Sequence, residues 1–244
     1  MPSTTLQIPT IDGQADAFVA LPDRHGPQPA VLMYPDAFGI RPVLRSMALE
    51  LAEHGYYVLV PNTFYRRGPA PIVELPEHIG EDIRPALIEQ LMPLIHEHTA
   101  ERTLTDARAY LDFLGNQPEV SAGAVGVIGY CIGGLLATRT AAAFPDRVAA
   151  IAAFHGPVSA DGTDTLATIT AKAHFGHAAS DLTPEALNEL NKALDAAQLD
   201  YTSEIYPDTV HGFTMADTDA FDSDGLRRHW NRLFDLLDRT LTDN

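Results

Sequence analysis

The chain has 244 residues, 45% of them hydrophobic, and a formal net charge of −17 at pH 7. This length and apolar content suffice for a large α/β core, and because no linker-like segment divides the chain we expect a single domain over residues 1–244. The acidic balance argues against nucleic acid and anionic membrane surfaces as partners. The single cysteine, Cys131, excludes an internal disulfide and a cysteine-rich zinc site.

The N-terminus has no basic region and no apolar signal core, and the apolar runs are far shorter than the ~20 residues that a membrane span needs. We therefore expect a cytoplasmic protein without a membrane partner.

In chain order, the first part of the sequence predicts a β-hairpin, two buried strands and a helix. Residues 6–8 and 15–20 are strand-like and flank Asp12-Gly13, a pair typical of a hairpin turn. Residues 30–34 form a continuous apolar run, as in a strand buried on both faces. A helix with apolar spacing over 43–54 and a strand over 56–60 follow.

The remainder of the chain alternates helix and strand after a long, polar, proline-broken stretch over 62–81. The predicted helices cover 83–98, 102–116, 184–199 and 225–241. The predicted strands cover 125–128, 148–154, 171–176 and 201–206. This alternation predicts a mostly parallel sheet with helices on both faces and an antiparallel edge from the hairpin. An α/β-hydrolase fold of about eight strands has this layout.

One short motif is typical of a catalytic site. It is the turn Gly129-Tyr130-Cys131-Ile132-Gly133. It lies between a predicted strand and a helix-forming run, and it matches the G-x-S-x-G nucleophile elbow with cysteine in the serine position. Gly129 and Gly133 stand where a tight turn brings backbone so close that a Cβ would clash. Most lone cysteines are small buried hydrophobes, but a thiol at the middle of such a turn predicts covalent catalysis.

A thiol nucleophile needs a base, and ten histidines compete for that role. We select His211, because it follows the last predicted strand at the edge where strand carboxyl ends deliver catalytic groups. His155 also follows a strand and is the second choice. His54, His96 and His98 fall on predicted helices and are expected to be solvated or capping residues.

The orienting acid should lie between the elbow and the base in chain order. Asp181 occupies that place. Thr183 before Pro184 is the better helix N-cap, which leaves Asp181 free for another role. Asp161 and Asp164, in a loop further back, are weaker alternatives.

Two backbone amides are expected to form an oxyanion hole. The amide of Ile132 follows the nucleophile and heads a helix, whose dipole favours negative charge. The second donor is expected in the loop over 34–39, at Ala37. This arrangement requires no metal and no organic cofactor.

These residues resemble the dienelactone hydrolase family of α/β-hydrolases, over nearly the whole chain. The matching segments are Gly129-Tyr130-Cys131-Ile132-Gly133-Gly134, Asp36-Ala37-Phe38-Gly39, Gly55-Tyr56, Val60-Pro61-Asn62, Asp181 and His211-Gly212-Phe213. The resemblance implies that Cys131, Asp181 and His211 form a triad that hydrolyses a small ester or lactone through an acyl-enzyme.

The sequence departs from the family's best-studied members at two positions. Those members carry a glutamate that takes part in switching the thiol to the thiolate, where this chain has Asp36. The resemblance therefore implies a thiol gate at Asp36 that is looser or absent. Those members also bind the substrate carboxylate with arginines, one of them at the position of Met215. Arg84 is the candidate replacement, and we expect a more neutral or bulkier ester as the substrate at least as much as a dienelactone.

The pocket is expected to be lined by Phe38, Tyr130, Phe213 and Met215. The loop over 63–81 has two equally supported interpretations. It either covers the pocket and sets specificity, or it is a surface crossover.

Two other functions use the same features. A thioesterase or general carboxylesterase would share the triad, and only a substrate panel separates these enzymes. A non-catalytic α/β-hydrolase-fold protein that binds a small molecule would keep the pocket, but the intact nucleophile, acid and base argue against it.

Overall fold

An eight-stranded sheet runs through the computed structural model of the chain, which describes residues 1–158 and 161–242. The strands are β1 (Ser3–Thr10), β2 (Gly13–Ala20), β3 (Ala30–Tyr34), β4 (Tyr57–Pro61), β5 (Val125–Tyr130), β6 (Val148–Phe154), β7 (Lys172–Ala178) and β8 (Tyr201–Tyr206). They lie in the order β1-β2-β4-β3-β5-β6-β7-β8. Strand β2 runs antiparallel to β1 and β4, and the other described pairings are parallel. The predicted α/β sheet is confirmed.

The described residues form seven α-helices. They are α1 (Pro42–Glu53), α2 (Arg84–His96), α3 (Ala100–Gly115), α4 (Ile132–Ala143), α5 (Thr163–Leu166), α6 (Pro184–Ala196) and α7 (Ser223–Leu237). Helix α7 begins two residues earlier than expected, because the Asp222 side chain accepts a hydrogen bond from the Gly225 amide and caps it. His98 lies between α2 and α3, against the Phe64 ring, and not on a helix. Over residues 1–158 and 161–242, no helix has the length and apolar character for crossing a bilayer.

Helices pack on both faces of the sheet. Helices α1 and α7 cover one face, where Leu44 and Leu233 join the apolar core. Helices α3, α4 and α6 cover the other, where Tyr110, Leu136 and Leu194 are buried. The central strands are therefore buried on both faces, which explains their continuous apolar runs.

The parallel register brings the ends of three central strands to one level. Tyr34 of β3 pairs with Gly129 of β5, and Tyr130 of β5 pairs with Phe154 of β6. The loops that leave these strands therefore meet at one edge of the sheet, and Cys131 lies at the start of the middle loop. Strand carboxyl ends are where sheets of this kind place their functional groups.

The segment between β4 and α3 covers this edge. Its first part is fixed to α3, because the Tyr65 hydroxyl donates a hydrogen bond to Asp106. Its later part packs through Ile79 and Leu91 against the loop over 35–39. Of the two interpretations of residues 63–81, this packing favours the one in which the segment covers the site.

Candidate active site

Cys131 occupies a strained turn between β5 and α4. Its φ of 54° and ψ of −121° are unusual for a residue with a Cβ. A Cβ on Gly129 would lie 1.9 Å from the Gly133 carbonyl oxygen, and a Cβ on Gly133 would lie 2.5 Å from the Pro35 oxygen. A Cβ on Gly156 would lie 2.3 Å from the Cys131 oxygen. The expected clash at the two elbow glycines is confirmed, and Gly156 is a third constraint that the sequence did not reveal.

Ile132, the residue after the thiol, is the first residue of α4. Its amide belongs to the first turn, where N–H groups have no partner within the helix. The positive end of the α4 dipole therefore lies beside the sulfur and favours negative charge there.

His211 and Asp181 are hydrogen-bonded to each other, with His211 Nδ1 2.7 Å from Asp181 Oδ2. The Ser180 hydroxyl donates to Asp181 Oδ1 at 3.2 Å and accepts from the His211 backbone amide at 2.9 Å. The sequence does not predict this role of Ser180, because no motif around it distinguishes it from other serines. Thr183 caps α6 by accepting from the Ala186 amide, so Asp181 is free of that role, as predicted.

The pKa of His211 is set by its neighbours. Burial lowers this pKa, but hydrogen bonds to Asp181 and to the Cys131 sulfur raise it to about 10, and both charges act in the same direction. The structure thus brings Cys131, His211 and Asp181 together. A charged imidazole beside the sulfur stabilises the thiolate, which is the reactive form of cysteine.

His155 lies beside His211 in a different environment. Its side chain is buried, its ring centroid is 5.2 Å from that of His211, and Nε2 is 2.8 Å from Thr214 Oγ1. Burial lowers the pKa of His155 well below its usual range, so its imidazole is neutral. Within the described residues no carboxylate hydrogen-bonds to it, so His155 lacks the acid that orients a base.

The alternative acids lie elsewhere. Asp161 binds Arg139 through both carboxylate oxygens, at 2.5 and 2.8 Å, and Asp164 lies in the first turn of α5.

Two of the histidines predicted on helices lie at helix ends. His54 is the C-cap residue of α1, and His96 is the exposed last residue of α2. Across 1–158 and 161–242, no group of three or more His, Cys, Asp or Glu side chains could hold a metal ion.

Asp36 lies in the loop after β3 and is buried. Its Oδ1 and Oδ2 accept hydrogen bonds from Arg41 Nη1 and Nη2, at 2.6 and 3.0 Å. Oδ1 also accepts from the Phe38 amide at 3.1 Å. Asp36 lines the cavity beside the thiol, but its carboxylate is engaged by a guanidinium, a partner that the sequence did not suggest.

A cavity of about 30 Å³ lies against the thiol. Its lining residues include Cys131, His211, Ala37, Phe38, Met215 and Arg84. Arg84 is the first residue of α2, and its Nη2 donates to the His211 carbonyl oxygen at 2.7 Å. Arg84 makes no ion pair with any described residue, so the cavity wall carries a positive charge without a counter-ion.

The structure does not bring Tyr130 and Phe213 to this cavity. Tyr130 is fully buried, and its hydroxyl lies 2.9 Å from His229 Nε2 of α7. Phe213 is also fully buried, with its ring centroid 5.0 Å from that of Tyr206. Successive side chains of a strand point to opposite faces, so a residue next to the nucleophile in sequence can lie in the core.

A wider groove of about 770 Å³ is also lined by His211 and Asp181. Val158, Leu182 and Leu190 give it an apolar lining, and His155 borders both this groove and the thiol cavity.

The family model for the dienelactone hydrolase family matches residues 15–241 of this chain. A carboxymethylenebutenolidase of Pseudomonas sp. strain P51 is 31% identical over 130 residues, which cover 53% of this chain and 51% of that protein. A relative from Synechocystis sp. is 25% identical over 249 residues, which cover 98% of this chain and 97% of that protein.

Solved structures show the same fold. A dienelactone hydrolase-like promiscuous phosphotriesterase from metagenomic libraries superposes with a TM-score of 0.78, at 22% identity, over 99% of this chain and 100% of that chain. Dienelactone hydrolase from Anabaena variabilis superposes with a TM-score of 0.71, at 17% identity, over 98% of both chains.

Proposed function

Because the chain belongs to the dienelactone hydrolase family, we propose that it cleaves a small ester or lactone through a thioester acyl-enzyme on Cys131. One observation carries the proposal: His211, hydrogen-bonded to Asp181, lines the same cavity as Cys131 at a nucleophile elbow. Nucleophile, base and orienting acid are the three parts that covalent catalysis of this type needs.

The first step is proton transfer from the Cys131 thiol to His211 Nε2, with Asp181 holding Nδ1. The thiolate then attacks the substrate carbonyl carbon, and a C–S bond forms while the carbonyl oxygen takes the electron pair. The amides of Ile132 and Ala37 donate to this oxyanion, and each such donor contributes typically ~3–4 kcal/mol to lowering the barrier.

The tetrahedral intermediate collapses when its C–O bond breaks and His211 returns the proton to the leaving oxygen. In a lactone the leaving oxygen stays on the same molecule, so ring opening gives a thioester that carries a hydroxyl group. His211 then takes a proton from water, the resulting hydroxide attacks the thioester carbonyl, and Cys131 leaves as the thiolate.

We propose an anionic substrate of small size. The cavity at the thiol is only about 30 Å³, which favours a compact group at the carbonyl that is attacked, and Arg84 in its wall supplies a positive charge without a counter-ion among the described residues. The name of the Pseudomonas relative describes a butenolide lactone that bears a carboxymethylene group, and such a carboxylate fits a guanidinium partner.

The test compares Arg84→Met on an anionic lactone and on neutral p-nitrophenyl acetate. Because hydrogen bonds to charged groups contribute about 1.5–3 kcal/mol, we expect kcat/KM for the lactone to fall about 10- to 100-fold and that for the ester to change little. Arg227→Met, at an exposed position of α7, is the control. An equal fall on both substrates would show that Arg84 acts only through the His211 loop, and the anionic substrate would be rejected.

A second candidate is a thioesterase or general carboxylesterase that uses the same residues. The apolar groove of about 770 Å³ beside His211 favours it, because a long acyl chain could lie there. A series of p-nitrophenyl esters decides between the two. Rising kcat/KM from acetate to octanoate favours the second candidate, and falling kcat/KM favours a small substrate, whose charge the Arg84 variant tests.

A further inference from the structure

Arg41 joins the two loops that flank the thiol cavity. It is buried, with 6% of its surface exposed, and it lies at the N-terminus of α1. On one side its Nη1 and Nη2 bind the two oxygens of Asp36, in the loop that carries the Ala37 amide. On the other side Nε and Nη2 bind Asp217 at 2.6 and 3.2 Å, in the loop that follows His211.

Every N–H group of this guanidinium has an acceptor. Two donate to Asp36, two to Asp217, and Nη1 also donates to the Gly39 carbonyl oxygen at 3.3 Å. These are the five donors that an arginine side chain offers in a planar fork. The arrangement therefore fixes the direction of both loops as well as their separation.

The rest of the two loops is built onto this ion-pair group. Asp36 Oδ1 also accepts from the Phe38 amide, which closes a tight turn around Ala37. The Asp217 carbonyl oxygen accepts from the Ile79 amide at 2.8 Å, so the covering segment is attached to the same group. Movement of the guanidinium would displace the Ala37 amide.

A buried ion pair is weak evidence for stability, because desolvation can offset the Coulombic attraction. A hydrogen-bond donor for an oxyanion must in contrast lie within about 2.7–3.1 Å of the oxygen position. The geometry of Arg41 is therefore better explained by the precision it gives to the oxyanion loop than by the free energy of folding.

We propose that Arg41 is a positioning residue, which places the Ala37 amide for oxyanion binding by holding Asp36 against Asp217. The inference rests on the proposed function, since an oxyanion hole matters only if Cys131 attacks a carbonyl. It also gives Asp36 the role of counter-ion to Arg41, in place of a thiol gate.

The test uses Arg41→Lys, which keeps the charge but replaces the planar fork with one nitrogen. Removal of one oxyanion donor lowers kcat about 10²- to 10³-fold, so misplacement of one should lower kcat for p-nitrophenyl acetate about 10- to 100-fold, with KM nearly unchanged. Alkylation of Cys131 by iodoacetamide forms no oxyanion, so its rate should stay within about threefold of the parent rate. Arg45→Lys, one turn along α1 and exposed, is the control.

Asp36→Asn is the second variant, for the case in which Arg41→Lys does not fold. It keeps the side-chain shape and weakens the same contact, so kcat should fall while alkylation and its pH profile stay as in the parent. A thiol gate at Asp36 would instead change the alkylation profile, and that result overturns the proposal.

Two further results would also overturn it. One is an unchanged kcat in Arg41→Lys, and the other is an equal fall of kcat and alkylation rate, which would indicate damage to the nucleophile and its base. The parent is assayed first. No turnover in the parent contradicts the proposed function, whereas turnover in the parent with an unaffected variant contradicts only the role of Arg41.

Discussion

His211 determines the chemistry of the site at the scale of single residues. Its imidazole lies between a carboxylate and a sulfur, and its pKa is raised to about 10 because their hydrogen bonds outweigh burial. A raised pKa means that the imidazolium persists across neutral pH, which favours a thiolate at Cys131.

Asp181→Asn tests this account, because it removes the charge and keeps the shape of the side chain. We expect the pKa of His211 to fall towards its ordinary value of about 6.5 and kcat to fall at least about tenfold, since a positioned acid–base group contributes 10²–10⁴-fold. An NMR titration of the His211 Cε1–Hε1 signal, assigned with His211→Gln, measures the first effect.

The matched control is Asp161→Asn, since the Asp161 carboxylate binds Arg139 and not His211. Its kcat should stay within about twofold of the parent value, as surface substitutions change little. A loss smaller than tenfold in Asp181→Asn would remove Asp181 from the triad. A parent His211 that titrates at or below its ordinary pKa would contradict the ion pair.

The turn from β5 into α4 is the element that aims the thiol. Three glycines permit it, because backbone oxygens of neighbouring segments lie where their Cβ atoms would be. Rotation of a side chain could not relieve a clash at Gly129, because the obstructing atoms belong to the backbone of Gly133. The turn is therefore specified by sterics over a few residues.

Gly129→Ala should destabilise the fold by more than the 0.5–3 kcal/mol of ordinary substitutions, because its Cβ would lie 1.9 Å from the Gly133 oxygen. Gly115→Ala is the control, at the end of α3 with its nearest contact at 3.8 Å. Urea unfolding measures both variants. A Gly129→Ala protein as stable as Gly115→Ala would show that the elbow can relax.

Elements with local signals were predictable from the sequence. The elbow and the N-cap of α6 each depend on residues within a few positions, and both were predicted. Arg41 and Asp217 were not, because their contact joins residues far apart in the chain. The sequence places Tyr130 among the predicted pocket residues, but strand alternation turns its side chain into the core beside His229.

At the scale of the whole molecule, buried histidines link stability to pH. Burial lowers the pKa of His174 and His177 to about 4 and that of His229 to about 3. These groups are neutral in the fold but gain protons near pH 6.5 when unfolded. Their contribution to stability is complete above that pH and is lost as the pH falls towards the lowered values.

We expect the free energy of unfolding to fall below pH 6.5 with a slope of about 1.4 kcal/mol per pH unit for each such histidine. We also propose that residues 1–244 unfold as one domain, in a single transition. Urea melts at pH 7.5 and 5.0 measure both. His229→Gln should reduce the slope, and His25→Gln, at an exposed position, should not. Equal stability at the two pH values would contradict this prediction.

The acyl-enzyme is the central claim, and rapid acid quench followed by mass spectrometry tests it most directly. With p-nitrophenyl acetate in excess, we predict one acetyl group on the peptide that contains Cys131, which forms and decays at rates consistent with turnover. Cys131→Ala should show neither adduct nor turnover. Steady turnover by the parent without an acetyl group on Cys131, or turnover by Cys131→Ala at the parent rate, would contradict the account.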